Sequence, residues 1–288
     1  MFPRRYFTTS VLRLAAENGP NGGLLKKFMS PLIDSAKFDE EELIPKQLLR
    51  PIGLTNSPFQ TTKYKEKGNS LKDLFNENKT NERVKELTHQ LNKSSMHDLF
   101  VFRKTNGKLF FAPKSYWNAS KALYFPHLMG NSLANPSEKI RLEEILKGKI
   151  SIVKLFGNKI GNDMVNQYAT DITFDPVPKE NSNIQTIQIN WIENKMKSWL
   201  SKLSIWKLRR MIDPKDHSKY FMCQWNQLPF DIRESLKINN IFTGYILIVD
   251  RNLKIRWITC GNPDESHDEI KTLWKCVREL EKEKEEFT

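Results

Sequence analysis

The side chains in this chain that could act as nucleophiles or bind metals are three cysteines and five histidines. Cys223, Cys260 and Cys276 are far apart, and none belongs to a Cys-x-x-Cys pair. Three scattered cysteines are too few for a disulfide framework or a zinc site, so we expect structural thiols in a reducing compartment. His127 and His267 have no partner at the spacing of a metal site. The chain also contains no P-loop and no Gly-x-Gly-x-x-Gly, so we predict no enzyme activity and no catalytic, cofactor-binding or metal-binding residues.

The elements that would position a functional site become regular in the C-terminal half. Ile150–Phe156 is an apolar run typical of a buried strand, and a Gly-Asn pair breaks it before a helix with one apolar face. Residues 187–191 alternate between apolar and polar side chains, which predicts a half-buried strand. A second helix is expected over about residues 194–211. A helical crossover makes neighbouring strands parallel, so this segment is predicted to be a βαβ unit.

A second unit is predicted closer to the C-terminus. Tyr245–Val249 has the pattern of a buried strand, and a turn follows at residues 250–252. Residues 253–257 then alternate apolar and charged side chains. This alternation predicts an antiparallel strand with Lys254 and Arg256 on its polar side.

The last helix has the best-marked start in the chain. Asn262 suits the N-cap, Pro263 the first helical position and Glu265 the third, which together predict a capping box. Strand, turn, strand and helix in this order make a ββα unit. The predicted fold class is therefore α/β, with a thioredoxin-like C-terminal domain (βαβ plus ββα) and an irregular and helical N-terminal region.

Proteins with the thioredoxin-like fold carry their reactive thiol just after the first strand of the βαβ unit, at the start of a helix. Here Gly157–Asp163 contains no cysteine, serine or threonine. The fold also places a cis-proline before the strand that corresponds to Tyr245–Val249, where this chain has Phe242–Gly244. Because two separate parts of the redox site are missing, we expect this half of the chain to bind rather than to catalyse.

The first 20 residues have the composition of a mitochondrial transit peptide. They contain Arg4, Arg5 and Arg13, several hydroxyl residues and no acidic residue before Glu17. The alternative is a disordered basic tail. A secretory signal is not expected, because no apolar region follows the arginines. The division that we predict is a transit peptide (1–20), an irregular segment (21–69), an N-terminal helical and aromatic lobe (70–149) and a thioredoxin-like domain lacking redox cysteines (150–288).

The net charge of +12 lies almost wholly in the N-terminal half. Residues 1–149 hold 25 Lys or Arg against 15 Asp or Glu, whereas residues 150–288 hold 21 against 19. A basic excess favours an anionic membrane surface or nucleic acid as a partner, although a matrix protein with a basic leader also has one. No RNP-like or Gly-rich pattern is present, so we expect no nucleic-acid partner. No apolar run reaches the length of roughly 18 residues that a membrane span needs.

Two aromatic segments are candidates for partner binding. The helix near residues 192–211 combines tryptophans with cations, as do helices that lie on anionic membranes or hold an apolar partner helix. The alternative is a helix packed on the sheet with solvated lysines. The segment 115–133 is either an exposed recognition patch or a lobe packed onto the domain. The predicted apolar face of the helix is Met196, Trp199, Leu200, Leu203 and Trp206. The candidate partner-binding residues are Trp199, Lys202, Trp206, Arg209, Arg210, Tyr124 and Phe125.

Two further segments carry a resemblance, namely Lys121–Leu133 (KALYFPHLMGNSL) and Gly244–Trp257 (GYILIVDRNLKIRW). Together and in this order they resemble the mitochondrial ATP synthase assembly factor family, which has a thioredoxin-like fold. The resemblance spans roughly Ser70 to Glu279. It implies a factor at the matrix side of the mitochondrial inner membrane that binds newly made subunit 6 (the a subunit) and promotes its joining to the c ring. It implies no catalytic residues.

These observations favour a non-enzymatic assembly chaperone that binds an unfolded membrane protein and associates peripherally with the inner membrane. The first alternative is a thiol oxidoreductase of the peroxiredoxin or thioredoxin type that uses Cys223 or Cys260. A second alternative is an adaptor held on a lipid surface by electrostatic attraction.

Overall fold

A computed structural model describes residues 44–58, Tyr64, and residues 95–168, 183–192 and 198–283. The described strands are β1 (Lys46–Gln47), β2 (Phe110–Phe111), β3 (Leu123–Tyr124), β4 (Met129–Ser132), β5 (Lys139–Arg141), β6 (Ile150–Phe156), β7 (Ile184–Ile192), β8 (Tyr220–Gln224), β9 (Tyr245–Val249) and β10 (Lys254–Cys260). The described α-helices are α1 (Ser95–Thr105), α2 (Leu142–Leu146), α3 (Lys159–Gln167), α4 (Ser198–Met211), α5 (Phe230–Leu236) and α6 (Asp268–Lys282). The predicted transit peptide and the first part of the predicted lobe, to residue 94, lie outside the described residues.

Eight strands form one sheet in the order β3-β10-β9-β6-β7-β8-β4-β5. β6, β7 and β8 are parallel, while β9 is antiparallel to β6 and β10 is antiparallel to β9. α3 connects β6 to β7, and α6 follows β10. The order β10-β9-β6-β7 with these two helices is the βαβ plus ββα arrangement, which confirms the thioredoxin-like fold. β1 and β2 form a separate parallel pair.

The sheet is buried on both faces, as the apolar content of its central strands predicts. Every residue of β6 and of β9 is buried. One face packs against α3 and α6 through Val165, Tyr168, Ile270, Leu273 and Val277. The opposite face packs against the chain that surrounds α2 and α5, through Phe125, Leu128, Leu142, Leu146 and Leu236. No helix among the described residues is long and apolar enough to cross a membrane.

Residues before 150 belong to this sheet, so the boundary that the sequence suggests at residue 149 does not divide it. β3 pairs with β10, and β4 pairs with β8 and β5. The described residues belong to one compact unit, Leu43–Thr288. The stretch at about 212–240, which interrupts the sequence pattern, supplies β8 as the strand beside β7. Hydrogen bonding between strands that are distant in sequence therefore holds both stretches in the core.

The last helix starts later than the sequence predicts. It begins at Asp268, with His267 as N-cap in the left-handed region at φ 57°, and the Asn262 capping box does not form. Gly261, at φ +69°, crosses directly over Gly107, because a Cβ atom on Gly261 would lie 2.6 Å from the Gly107 carbonyl oxygen. The chain must pass this crossing before it can turn into a helix. Asp264 then caps the real helix, since its Oδ1 accepts a hydrogen bond from the Glu269 amide at 3.1 Å.

Arg256 is buried, contrary to the alternation that places it on a polar side. Its side chain is 1% exposed and pairs with Asp250 at 3.1 Å and with Glu283 at 2.7 Å. Its Nε also donates to the Trp117 carbonyl oxygen at 2.7 Å. The pairing of β10 with β9 shifts register between Ile255 and Trp257, which breaks the simple alternation at this residue.

Candidate functional site

The position of a thioredoxin-like thiol corresponds here to the loop between β6 and α3. Asn158 occupies it as the N-cap of α3, and its Oδ1 accepts a hydrogen bond from the Gly161 amide at 2.8 Å. Amides in the first turn of a helix are the donors that would otherwise stabilise a thiolate. A neutral side-chain amide therefore takes the place that a reactive anion would have.

The loop that precedes β9 lies directly on this position through glycines. A Cβ atom added to Gly157 would lie 2.5 Å from Cγ1 of Ile241. A Cβ atom added to Gly244 would lie 2.2 Å from the carbonyl oxygen of Gly161. The second contact is with backbone that cannot rotate away, so position 244 has no space for a side chain. We call Gly157–Gly161 together with Asn240–Gly244 the closed site.

Polar contacts hold the two halves of the closed site together. Nδ2 of Asn158 lies 3.4 Å from the carbonyl oxygens of both Ile241 and Phe242. The Tyr245 hydroxyl accepts a hydrogen bond from the Asn240 amide at 3.0 Å and donates one to its carbonyl oxygen at 3.1 Å. Burial raises the pKa of Tyr245, so its hydroxyl keeps the proton that it donates. All peptide bonds in the described part of the chain are trans, including those of Phe242–Gly244.

Helix α1 and the turn after it cover the outside of the closed site. The Asn240 side-chain amide donates to the Asp98 carbonyl oxygen at 2.7 Å. The rings of Phe102 and Phe242 pack with their centroids 6.3 Å apart. The closed site is thus a structural junction between α1, α3 and the loop before β9.

The three cysteines are all free and buried, as is usual for structural thiols. Burial raises the pKa of the Cys260 thiol to about 11 and also raises those of Cys223 and Cys276. Cys223 faces Gly130 across β8 and β4, where a Cβ atom on the glycine would lie 2.7 Å from Sγ. Thiolates are the reactive form, so these environments oppose thiol chemistry.

A buried carboxylate joins the chain before β3 to the last helix. Oε2 of Glu269 accepts hydrogen bonds from the Tyr168 hydroxyl at 2.8 Å and the Thr259 hydroxyl at 3.0 Å, and it pairs with Lys108. Oε1 accepts from the Ala112 amide at 3.2 Å. Burial and the negative charge of Glu269 raise the pKa of Tyr168. Both oxygens have partners within the protein, so the carboxylate connects elements instead of receiving a ligand.

The two segments that carry the family resemblance are structural as well. Within Lys121–Leu133, His127 Nδ1 lies 2.5 Å from Glu143 Oε1, and Gly130 makes room for Cys223. Within Gly244–Trp257, Asp250 accepts hydrogen bonds from the Asn252 and Lys254 amides at 2.9 Å each, which fixes the turn between β9 and β10. These contacts of both segments therefore stabilise the sheet.

Three of the predicted partner-binding residues, Trp206, Arg209 and Arg210, lie on α4 and have described side chains. Trp206 is 54% exposed, and the Arg210 guanidinium lies 3.8 Å from the centroid of its indole. Arg209 differs, because its Nε and Nη2 donate to the carbonyl oxygens of Leu133 at 2.7 Å and Ala134 at 2.8 Å. Arg209 therefore anchors the helix, while Trp206 and Arg210 are presented to solvent.

The other predicted residues have different surroundings. Tyr124 is half-buried in β3, with the Lys254 ammonium 5.3 Å from the centroid of its ring. Phe125 is 1% exposed in the core and cannot contact a partner from there. Trp199 and Lys202 lie in α4, and their side chains are outside the described ones. The structure thus brings Trp206 and Arg210 together and separates them from the buried Phe125.

Two features of the site were not evident from the sequence. Among the described side chains of α4 and the residue that follows it, Ile205, Leu208 and Ile212 pack against the core, whereas Trp206 of the predicted apolar face is exposed. Their i, i+3 and i+7 spacing was a usable signal. The contact of Gly161 with Gly244 joins residues that are far apart in sequence, and a single glycine in each segment gives no sign of its partner.

Comparison with known proteins gives consistent matches over most of the chain. The family described as "ATP10 protein" matches residues 30–280. The mitochondrial ATPase complex subunit ATP10 of Candida glabrata is 44% identical over 264 residues, covering 92% of this chain and 94% of that protein. The protein of the same name from Saccharomyces cerevisiae is 42% identical, covering 96% and 98% of the two chains. A probable mitochondrial ATPase complex subunit atp10 of Schizosaccharomyces pombe is 26% identical, covering 84% and 86%.

Solved structures match more distantly. A putative protein disulfide isomerase from Bacteroides thetaiotaomicron is 17% identical with a TM-score of 0.38, covering 56% of this chain and 89% of that one. BsSco, a member of the Sco family of cytochrome c oxidase assembly proteins, is 11% identical with a TM-score of 0.36, covering 57% and 96%.

Proposed function

This chain belongs to the ATP10 protein family, and from that premise we propose that it is a non-enzymatic factor for the assembly of the mitochondrial ATP synthase. In this proposal it binds newly made subunit 6, the a subunit, at the matrix side of the inner membrane. It holds this apolar client until the client joins the c ring. The names of the relatives support the complex, and the resemblance described above supplies the client.

The closed site is the observation that carries the non-enzymatic part of the proposal. A thiol oxidoreductase needs a low-pKa cysteine at the start of α3 and space for a substrate beside it. Asn158 stands there instead, and the backbones of Gly161 and Gly244 touch. A protein of this fold without that centre can still recognise a client through its surface.

Deleting the gene tests the proposal directly. We expect the amount of assembled ATP synthase to fall while its catalytic head still forms, as measured by native gel electrophoresis of solubilised mitochondria. Normal assembly in the deletion strain would reject the proposal. Photocrosslinking from position 124 to newly made mitochondrial translation products would then identify the client, and we expect subunit 6 to be the main product.

Replacing all three cysteines separates this proposal from the thiol alternative. We use alanine because all three cysteines, Cys223, Cys260 and Cys276, are buried. A serine hydroxyl at these positions would lose its hydrogen bonds to water, which is unfavourable. The variant should support respiratory growth at a normal protein level. Loss of growth with a normal level of folded protein would favour thiol chemistry, and single alanine variants would then show which cysteine carries it.

A further inference from the structure

Helix α4 has two faces of different character. Ile205, Leu208 and Ile212 are half-buried against the sheet, whereas Trp206 is 54% exposed and Met211 is 69% exposed. At about 100° per residue, the exposed residues fall within one arc of roughly 140° opposite the buried ones. We call Trp206, Lys207, Arg210 and Met211 the α4 outer face, and all four side chains are exposed. These four side chains are therefore available for contact with a partner.

The α4 outer face combines an aromatic ring with cations in a fixed arrangement. The Arg210 guanidinium stacks on the Trp206 indole, 3.8 Å from its centroid and one helical turn away. Tryptophan favours the headgroup level of a bilayer, and arginine and lysine can place apolar stems in the membrane while their charged ends stay in water. The two hydrogen bonds of Arg209 to the chain after β4 hold the helix in place, so the protein presents this face without further ordering.

The charge of α4 has one sign. The helix contains Lys202, Lys207, Arg209 and Arg210 and neither Asp nor Glu. Helix α6, of similar length, has four acidic residues and four basic ones. Exposure to solvent therefore does not by itself explain why the charges of α4 are all positive. Charge of one sign on an aromatic helix face is complementary to a surface of anionic lipids, each nearby cation adding about 1 kcal/mol of attraction.

From these observations we propose that the α4 outer face docks on an anionic phospholipid surface. This inference rests on the proposed function, which requires the protein at a membrane where its client is inserted. A lipid surface fits better than an apolar partner helix. The apolar side chains Trp206 and Met211 are interrupted by Lys207 and Arg210, and the face is convex, whereas helix recognition uses a continuous apolar groove.

Vesicle co-sedimentation of the protein purified from mitochondria, where any leader has been removed, tests the inference. The probes are vesicles of phosphatidylcholine alone and of an equimolar mixture with phosphatidylglycerol. We expect binding to the mixed vesicles only, and weaker binding as salt is added. Lys207→Gln combined with Arg210→Gln should weaken it roughly 25-fold, about fivefold for each cation. Trp206→Ala should weaken it as well, because the ring that enters the headgroup region is lost.

The matched control is Lys114→Gln combined with Lys275→Gln, two exposed lysines outside α4. It removes the same charge, and we expect binding close to that of the parent. Equal losses in the two double variants would overturn the inference, since net charge alone would then explain binding. Unchanged binding in both the α4 double variant and Trp206→Ala would also overturn it. Circular dichroism and thermal unfolding show whether each variant is folded, and Trp206→Ala gives an independent result if the double variant is not.

A second measurement separates this inference from the proposed function. Parent and variant genes are returned to the deletion strain, and assembled ATP synthase is measured. If the deletion has no effect on assembly, the proposed function fails whatever the vesicles show. If the deletion does reduce assembly but both the α4 double variant and Trp206→Ala bind vesicles like the parent, only the docking surface fails. Crosslinking of position 206 to a protein instead of lipid, with unchanged vesicle binding, would point to the client and reject the lipid surface.

Discussion

The carbonyl oxygen of Gly161 and the α-carbon of Gly244 are so close that a methyl group on Gly244 would lie 2.2 Å from the oxygen. The same methyl group would lie 2.7 Å from Cγ1 of Val165. Residues from α3 and from the loop before β9 thus exclude a side chain at position 244, beside the start of α3. The contact also makes the closed site sensitive to a single added carbon atom.

We expect Gly244→Ala to lower the free energy of unfolding by about 3 kcal/mol or more, because the added carbon overlaps backbone that cannot rotate away. Urea denaturation followed by circular dichroism measures the loss. The control is Gly148→Ala, where no atom lies within 4 Å and only the positive φ of +79° is unfavourable. That variant should lose about 1 kcal/mol. Equal losses would show that the α3 contact is not tight.

Asn158 has two separable roles, a helix cap through Oδ1 and a contact with two loop carbonyls through Nδ2. Asn158→Ala removes both and should cost about 1 kcal/mol of stability. Asn158→Asp keeps the cap acceptor and adds a favourable charge at the helix N-terminus, so its loss should be smaller. Thermal unfolding of both variants tests this order. A larger loss for Asp would mean that the contact with the loop, rather than the cap, dominates.

The buried Arg256 should be among the most sensitive charged residues. Arg256→Met leaves the buried Asp250 without its cation, and breaking a buried pair in this way costs about 3–5 kcal/mol, whereas Glu283 is 41% exposed and adds little to this cost. Lys237→Met is the control, because Lys237 pairs with Glu234 at 3.6 Å with side-chain exposures of 47% and 33%. Exposed pairs contribute about 0–1 kcal/mol. Urea denaturation distinguishes the two, and a small effect at Arg256 would show that Asp250 and Glu283 are readily hydrated.

Cys260 should make the protein less stable in alkaline solution. Burial raises its pKa from 9.0 to about 11, so between these values the unfolded chain has lost a proton that the folded chain keeps. The unfolded state then binds fewer protons, and stability falls as pH rises above 9.0. The contribution is up to about 2–3 kcal/mol. Urea denaturation at a series of pH values should show a steeper alkaline loss for the parent than for Cys260→Ala. Parallel curves would contradict the buried, protonated thiol.

The fold could be predicted from the sequence where local pattern decides the structure. The continuous apolar run of β6, the alternation of β7 and the turn between β9 and β10 all have short-range signals, and the structure confirms them. Prediction failed where contact with a segment that is distant in sequence determines the local structure. The capping box at Asn262 is locally plausible, but the crossing of Gly261 over Gly107 delays the helix to Asp268. The burial of Arg256 depends on Glu283, which is 27 positions later in the chain.

From the sequence, the only property of the candidate site that could be predicted is that it lacks a nucleophile. The lack of a nucleophile in Gly157–Asp163 was readable, whereas the backbone contact that closes the space was not. For α4, the sequence indicated an amphipathic basic helix with Trp206 on its apolar face, and it left open whether that face binds a partner or packs on the sheet. In the structure the aliphatic side chains Ile205, Leu208 and Ile212 are against the sheet and Trp206 is outside.

The position of β9 and β10 in the sheet has a consequence for how the protein acquires its structure. Both strands come late in the chain, yet β9 lies between β6 and β10, and β10 is the strand that joins β3 to the sheet. A polypeptide that emerges N-terminus first, from a ribosome or a translocation pore, cannot complete the centre of its sheet until residue 260 is available. Pairings this distant in sequence slow folding and leave unpaired strand edges in the meantime. Folding of this protein should therefore be coupled to the completion of its delivery.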